Sequence, residues 1–199
     1  MTLQNQPGAG FADPVHDAQA AFREALTALA RPGRQVTFGR AMPGVLMGAA
    51  MAHLLLTLTD DDTAVWWQQN DPAVSQWLRF HTGATLATTS AAAAFAVVLN
   101  PACMPPLDAF ASGSVESPEE SATLLVEVPS FDSGPFVEWR GPGIRDLATV
   151  RIGGLAADFW MQRQTSHDAF PQGVDVVFTC ANAAIGMPRT TRVRRLEAI

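Results

Sequence analysis

The densest group of side chains that could do chemistry lies near the C-terminus of the 199-residue chain. Guanidinium groups form bidentate hydrogen bonds with anionic oxygens, and neighbouring hydroxyl groups add further donors. This pattern predicts an anion site, although its spacing matches no phosphate-binding loop. The structural interpretation is a cationic edge strand that discourages aggregation. The group comprises Arg189, Thr190, Thr191, Arg192, Arg194 and Arg195.

A second cationic pair, Arg79 and His81, lies in the stretch L-R-F-H-T-G at the predicted end of a helix. Positive charge is favoured there by the helix dipole, which is the structural interpretation. The functional interpretation is contact with an anion. In that case the ligand-binding set would be Arg189, Thr190 and Thr191, together with Arg79 and His81.

The chain contains no Lys, because all 13 of its Lys and Arg residues are Arg. A Schiff base with pyridoxal phosphate and a Walker P-loop both require Lys, so both are excluded. We therefore predict no bound cofactor. The absence of Lys excludes these two mechanisms but does not indicate any other.

For the remaining polar groups, a structural role explains the sequence better than a functional role does. A lone His in an apolar helix is usually a core residue, and neighbouring acidic residues usually form a solvated turn. The glycine-containing loop G-P-G-I-R-D lacks the third Gly of a dinucleotide site, and adjacent His and Asp side chains need not meet. We expect no catalytic residue and no metal site among them. The groups are His53, residues 60–62, residues 141–146 and the pair His167-Asp168.

Local signals outline the elements that would position these side chains. Asp followed by Pro marks two helix starts, Asp13-Pro14 and Asp71-Pro72. Two hairpins are predicted: residues 174–180 with a second arm at 185–193, and residues 123–128 with 136–140. The first helix should present one apolar stripe, at Val15, Ala18, Phe22, Ala25, Leu26 and Leu29.

The order of elements predicts an α/β fold. Helices and strands alternate at first, several strands follow, and a helix and a hairpin end the chain. This order is typical of a three-layer domain in which helices cover a mixed sheet. We expect a single domain at residues 13–199, preceded by a mobile tail at residues 1–12.

Charge and hydropathy exclude several classes of partner. The net charge of −6 and pI near 5.1 argue against nucleic-acid binding. Residues 45–59 are the most apolar long stretch, but a transmembrane helix needs about 20 residues, so we expect no membrane span. The start of the chain does not resemble a signal peptide, and Cys103 and Cys180 lack metal-ligand spacing. We expect a cytoplasmic protein.

Several stretches, in order along the chain, together resemble the PhnH family, a subunit of the carbon–phosphorus lyase core complex of bacterial phosphonate degradation. Each stretch is weak evidence alone, but the ordered set covers about residues 13–193. The stretches are V-H-D-A-Q-A-A-F-R, L-L-L-T-L-T-D-D-D-T-A-V-W, L-R-F-H-T, G-P-G-I, F-P-Q-G-V-D-V-V-F-T-C and M-P-R-T-T.

The resemblance implies a fold similar to pyridoxal-phosphate-dependent transferases that does not use the cofactor. It also implies a homodimer alone and a larger assembly with the PhnG, PhnI and PhnJ subunits. In the family's pathway an alkylphosphonate is attached to the ribose of ATP, and PhnJ then cleaves the carbon–phosphorus bond by iron–sulfur radical chemistry. This chain lacks the Cys set for such a cluster.

Two functions therefore remain open from the sequence. The first is a non-catalytic assembly subunit required for alkylphosphonate catabolism. The second is a nucleotide- or phosphonate-binding subunit that contributes the Arg/Thr anion site to phosphonate transfer. The absence of an acid/base constellation favours the first, and the donor cluster in an acidic chain favours the second.

Overall fold

A mixed seven-stranded sheet forms the centre of the structure, a computed structural model that describes residues 8–196. In spatial order its strands are β1 (Gln35–Thr37), β9 (Ala183–Met187), β8 (Asp175–Cys180), β5 (Thr123–Glu127), β4 (Phe95–Val98), β2 (Ala64–Trp67) and β3 (Thr85–Leu86). The five neighbouring strands from β8 to β3 run parallel, and β9 is antiparallel to both of its neighbours.

A smaller antiparallel sheet of three strands accompanies the central sheet. Its middle strand is β6 (Phe136–Arg140), which pairs with β7 (Ala148–Arg151) on one side and β10 (Arg192–Arg195) on the other. Neither β7 nor a second sheet was predicted from the sequence. β10, the last strand within residues 8–196, thus forms one edge of this sheet.

Four α-helices complete the described part of the fold: α1 (Pro14–Ala30), α2 (Ala49–Leu58), α3 (Pro72–Thr82) and α4 (Phe159–Asp168). The predicted caps are confirmed, since Asp13 accepts a hydrogen bond from the His16 N–H and Asp71 accepts one from the Ala73 N–H. Each carboxylate satisfies a backbone donor that the first helical turn leaves free.

The central sheet separates two hydrophobic cores, because successive side chains of a strand point to opposite faces. Val177 contributes to the core beneath α1, α2 and α3. Val176 and Phe178 contribute to the other core, against α4 and the smaller sheet. The predicted α/β class with a mixed sheet is confirmed. The prediction that helices cover the sheet is only partly correct, because one face of the central sheet is covered by α4 together with the smaller sheet.

The apolar stripe predicted for α1 is only partly the buried face. Ala21, Ala25 and Ala28 are buried, whereas Val15, Phe22 and Leu26 are 63%, 47% and 52% exposed. Small side chains allow the helix backbone to approach the sheet closely, so the alanine face packs inward. The larger apolar side chains consequently remain on the outside.

One of the two predicted hairpins is confirmed in part. β8 and β9 form an antiparallel pair, as expected, but β9 ends at Met187 and residues 188–191 form a turn that leads into the other sheet. The predicted single arm over residues 185–193 is therefore wrong. Pro188 cannot donate to a ladder, which agrees with its place after the strand.

The hairpin predicted from residues 123–128 and 136–140 is also wrong. β5 pairs in parallel with β4 and β8, whereas β6 belongs to the smaller sheet. Residues 128–135 thus connect two sheets rather than two arms of a hairpin.

The start of the described chain contacts the domain. The Trp77 indole N–H donates to the Ala9 carbonyl over 3.0 Å, and the Phe11 ring lies 5.2 Å from the His53 ring. The tail predicted to be mobile spans residues 1–12, of which residues 1–7 lie outside the described part. No helix within residues 8–196 combines the length and hydropathy needed to cross a membrane.

Candidate functional site

The turn at residues 188–191 is held in place by Arg189. The guanidinium Nη2 lies 2.6 Å from Asp175 Oδ2, and the Arg189 backbone N–H donates to Asp175 Oδ1, also over 2.6 Å. Nη1 donates to the Pro118 carbonyl over 2.5 Å. Because these partners engage most of its donors, Arg189 is an internal anchor for the turn.

A buried arginine, Arg163 of α4, supports the same turn from beneath. Its Nη1 donates to the Val174 carbonyl over 3.0 Å, and its Nη2 donates to the Pro188 carbonyl. Burial lowers the Arg163 pKa to about 10, while the charge of Asp175 opposes that shift. Arg163 therefore stays charged at neutral pH. Arg163 was not predicted from the sequence, although its spacing of three and four residues from Trp160 and Phe159 places it on their helix face.

A cleft of about 890 Å³ opens beside the turn. Its walls come from the end of β6, the glycine-containing loop that follows, the last turns of α4, and β10. We call it the β6–β10 cleft. The polar side chains that line it are Arg140, Gln164, His167, Asp168, Thr190 and Arg192.

Two arginines face each other across the strands of this cleft. In the antiparallel pairing of β10 with β6, Arg192 is directly opposite Arg140. Directly opposed side chains lie on the same face of a sheet, and like charges in that position destabilise the pair. Within residues 8–196 neither guanidinium forms an ion pair with a carboxylate. The lining thus carries two arginines against one carboxylate, Asp168, so the cleft is locally cationic in a chain of net charge −6.

His167 fixes the position of one of these arginines. Arg192 Nε donates to His167 Nε2 over 2.9 Å, so Nε2 is the unprotonated ring nitrogen. The proton then lies on Nδ1, which donates to the Arg189 carbonyl over 3.2 Å. Asp168 lines the same cleft, but within residues 8–196 its side chain forms no hydrogen bond with His167.

The structure does not bring the predicted anion-binding residues together. Thr190 lines the β6–β10 cleft, Arg189 is bonded internally, and the Thr191 side chain is buried. Arg79 and His81 belong to α3, which packs on the opposite face of the central sheet. His81 Nε2 donates to the Gly8 carbonyl over 3.0 Å.

The cleft contains one arginine that was not among the predicted site residues. Arg140 ends β6, immediately before the loop G-P-G-I, and only its pairing with β10 brings it to Arg192. No local signal connects the two positions. Arg192, in contrast, was part of the C-terminal donor cluster, and β10 is an edge strand, as the structural interpretation of that cluster requires.

Fold and cleft together define an α/β protein with a cationic surface cleft. In the part of the chain that is described, no three His, Cys, Asp or Glu side chains are grouped as metal ligands would be. The chain belongs to the PhnH family, described as "Bacterial phosphonate metabolism protein (PhnH)", which matches residues 9–194. The family resemblance predicted from the sequence is thereby confirmed.

Two curated relatives cover most of the chain. A protein of Rhizobium meliloti (strain 1021), named alpha-D-ribose 1-methylphosphonate 5-triphosphate synthase subunit PhnH, is 38% identical over 205 residues, which are 98% of this chain and 100% of the relative. A protein of Stutzerimonas stutzeri, named putative C-P lyase subunit protein HtxG, is 30% identical over 175 residues, which are 88% of this chain and 85% of the relative.

Three of the stretches that carry the family resemblance meet around the turn. The loop G-P-G-I touches the turn M-P-R-T-T, since a Cβ at Gly141 would lie only 2.9 Å from the Thr190 carbonyl oxygen. Gly141 also has φ of 147°, a conformation that side chains rarely adopt. The stretch F-P-Q-G-V-D supplies Asp175, the partner of Arg189. These segments form one structural unit bordering the β6–β10 cleft.

Proposed function

We propose that this chain is a non-catalytic or accessory subunit of a carbon–phosphorus lyase complex, required for alkylphosphonate catabolism. The names of the relatives, a subunit of a methylphosphonate ribosyl triphosphate synthase and a putative C-P lyase subunit, support this function. In this proposal the complex attaches the phosphonate to the ribose of ATP, and partner subunits cleave the carbon–phosphorus bond.

The observation that carries an assembly role is the exposed apolar face of α1. Val15, Phe22 and Leu26 are separated by seven and four residues, so they lie on one side of the helix. All three are substantially exposed, in contrast to the buried alanine face. A row of exposed apolar side chains on one side of a helix supports a protein contact surface there. We call it the α1 apolar face.

The partners we propose are those that the family resemblance implies. The chain forms a homodimer alone and joins PhnG, PhnI and PhnJ in the cytoplasm of the host. The α1 apolar face contributes to one of these contacts. Residues outside it complete the interface, because three side chains bury much less than the area that a stable interface requires.

Affinity capture from phosphate-starved cells of the native host tests the assembly role. The tagged wild-type chain should recover PhnG, PhnI and PhnJ, identified by mass spectrometry. A double variant, Phe22→Ser with Leu26→Ser, should lose at least one of them. The control is Phe80→Ser, which alters a more exposed aromatic side chain on α3, 69% exposed against 47% for Phe22.

Two outcomes of this capture would count against the proposal. Recovery of the wild-type chain as a lone homodimer would remove the subunit function. Unchanged recovery with the double variant, verified as folded by circular dichroism, would remove the α1 apolar face from the assembly and leave the contact elsewhere.

The second function, an anion-binding subunit that uses Arg189, Thr190, Thr191, Arg79 and His81, has weaker support. Among these residues only Thr190 lines the β6–β10 cleft. Calorimetry of the complex with ATP and methylphosphonate, comparing wild type with Arg189→Ala, tests the original set. Equal affinities would exclude Arg189 as a ligand-binding residue.

A further inference from the structure

We propose that the β6–β10 cleft binds an oxyanion of the phosphate or phosphonate class between Arg140 and Arg192. This site goes beyond the assembly function, does not depend on it, and differs from the set predicted from the sequence. Its centre is a pair of arginines opposed across two strands, and Arg189 is excluded because its donors are engaged within the fold.

The charge arrangement of the two strands supports this assignment. Two positions further along the same pairing, Arg194 is opposite Glu138 and forms a salt bridge with it. At Arg140 and Arg192 the same strands place two positive charges opposite each other. An anion bound between Arg140 and Arg192 would attract both guanidinium groups and so offset their mutual repulsion. Glu138 supplies the corresponding negative charge for Arg194.

Protection of a sheet edge does not explain the pair. Cationic side chains on an edge strand discourage unwanted strand pairing, which accounts for Arg192, Arg194 and Arg195 on β10. Arg140, however, is on β6, the middle strand of its sheet. Its position opposite Arg192 therefore calls for a separate cause, which a bound anion supplies.

The donors of the cleft are available and partly pre-organised. Arg192 is held through Nε by His167, and its two terminal nitrogens have no hydrogen-bond partner within residues 8–196. The Arg140 guanidinium likewise has none in that part of the chain, and the Thr190 side chain also borders the cleft. Holding a donor in place before binding reduces the entropy lost when the ligand arrives.

The number of donors indicates the class of ligand. Two guanidinium forks and one hydroxyl exceed what the two oxygens of a carboxylate can use, whereas a tetrahedral phosphoryl or phosphonyl group offers three anionic oxygens. At about 890 Å³, the cleft has room for more than one such group. Both a free alkylphosphonate and the phosphate chain of a nucleotide have this chemistry.

Isothermal titration calorimetry of the purified full-length chain tests the proposal with three probes: methylphosphonate, inorganic phosphate and ATP. We expect saturable binding of at least one probe. Arg140→Gln and Arg192→Gln should each weaken it at least tenfold, since each removes a charge-assisted fork. The matched control is Arg194→Gln, on the same face of the same strand but paired with Glu138, and its affinity should stay within about twofold of wild type.

A charge reversal separates binding from folding. Arg140→Glu places an acid opposite Arg192, so the fold should be as stable as wild type or more so, while anion binding should be lost. Tighter binding of ATP than of methylphosphonate would identify a nucleotide as the source of the anion, and the reverse would identify a phosphonate.

The proposal is overturned if the wild-type chain binds none of the three probes. It is also overturned if Arg140→Glu retains wild-type affinity, or if Arg194→Gln weakens binding as much as Arg192→Gln. None of these results affects the capture of partner subunits, so failure of the anion site and failure of the assembly function are distinguishable.

Discussion

At the scale of single residues, neighbouring arginines of one short segment have different roles because their partners differ. Within residues 8–196, Arg189 binds a carboxylate and a backbone carbonyl, Arg194 binds Glu138, and Arg192 binds only the unprotonated nitrogen of His167. The residue type alone indicates only which interactions each arginine could form. The partner within reach determines whether it anchors the fold or stays available to a ligand.

Arg189→Met should therefore destabilise the fold, whereas Arg192→Gln should not. The first change leaves the half-buried Asp175 carboxylate without its cation, at a cost of about 2 kcal/mol. The second alters an exposed side chain, with an expected effect below about 0.5 kcal/mol. Urea denaturation of both variants measures the difference, and equal losses of stability would contradict the assigned roles.

Glu127 provides a pH-dependent test at the N-terminus of α2. Its Oε1 accepts a hydrogen bond from the Gly48 N–H over 3.1 Å. Burial nevertheless raises the Glu127 pKa above its ordinary value, because the desolvation effect exceeds that of the hydrogen bond. The folded state thus favours the protonated form. Above the raised pKa, the charged Glu127 destabilises the folded state to its full extent. As the pH falls through that pKa, the group becomes protonated and this destabilisation decreases.

Glu127→Gln keeps the acceptor oxygen and removes the charge. We expect the variant to be at least as stable as wild type at pH 8, with an advantage that decreases as the pH falls toward about 4.3, the ordinary pKa of Glu. Urea denaturation between pH 5 and 8 measures this, with Glu120→Gln in an exposed segment as control. An advantage that grows as the pH falls would contradict the sign of the pKa shift.

At the scale of elements, the packing of α1 depends on a glycine in β9. A Cβ at Gly186 would lie 2.5 Å from the Ala28 carbonyl oxygen, a backbone atom that cannot move without displacing the helix. This close approach explains why the alanine face of α1 is buried and the α1 apolar face remains outside.

Gly186→Ala should consequently destabilise the protein by about 2 kcal/mol, because the added methyl group overpacks the contact between α1 and β9. Thermal unfolding followed by circular dichroism measures the change. A melting temperature equal to that of wild type would show that α1 can move away from the sheet at little cost.

At the scale of the whole molecule, the two cores share the strands of the central sheet and should unfold together. Leu54 lies in the core beneath α1, α2 and α3, so Leu54→Ala should cost about 3 kcal/mol. That loss should lower one common transition, seen at the same denaturant concentration by circular dichroism and by tryptophan fluorescence. Leu46→Ala, an exposed position, is the control. Two separated transitions would contradict a single cooperative unit.

The sequence by itself determined the features that depend on neighbouring residues. The Asp-Pro starts of α1 and α3, the apolar strand β8 and its hairpin with β9 were all predictable, since caps and short hairpins depend on local chemistry. The mixed α/β class followed from the order of elements. The family resemblance also rested on stretches that can be read one after another.

Tertiary structure alone decided which faces and strands meet. Val15, Phe22 and Leu26 form a regular apolar stripe, but the alanine face of α1 is buried because it permits the closer approach to Gly186. Arg140 and Arg192 are far apart in the chain and become neighbours only through the pairing of β6 with β10. Long-range pairing selects among many locally acceptable partners, and for that reason the β6–β10 cleft could not be predicted from local sequence signals.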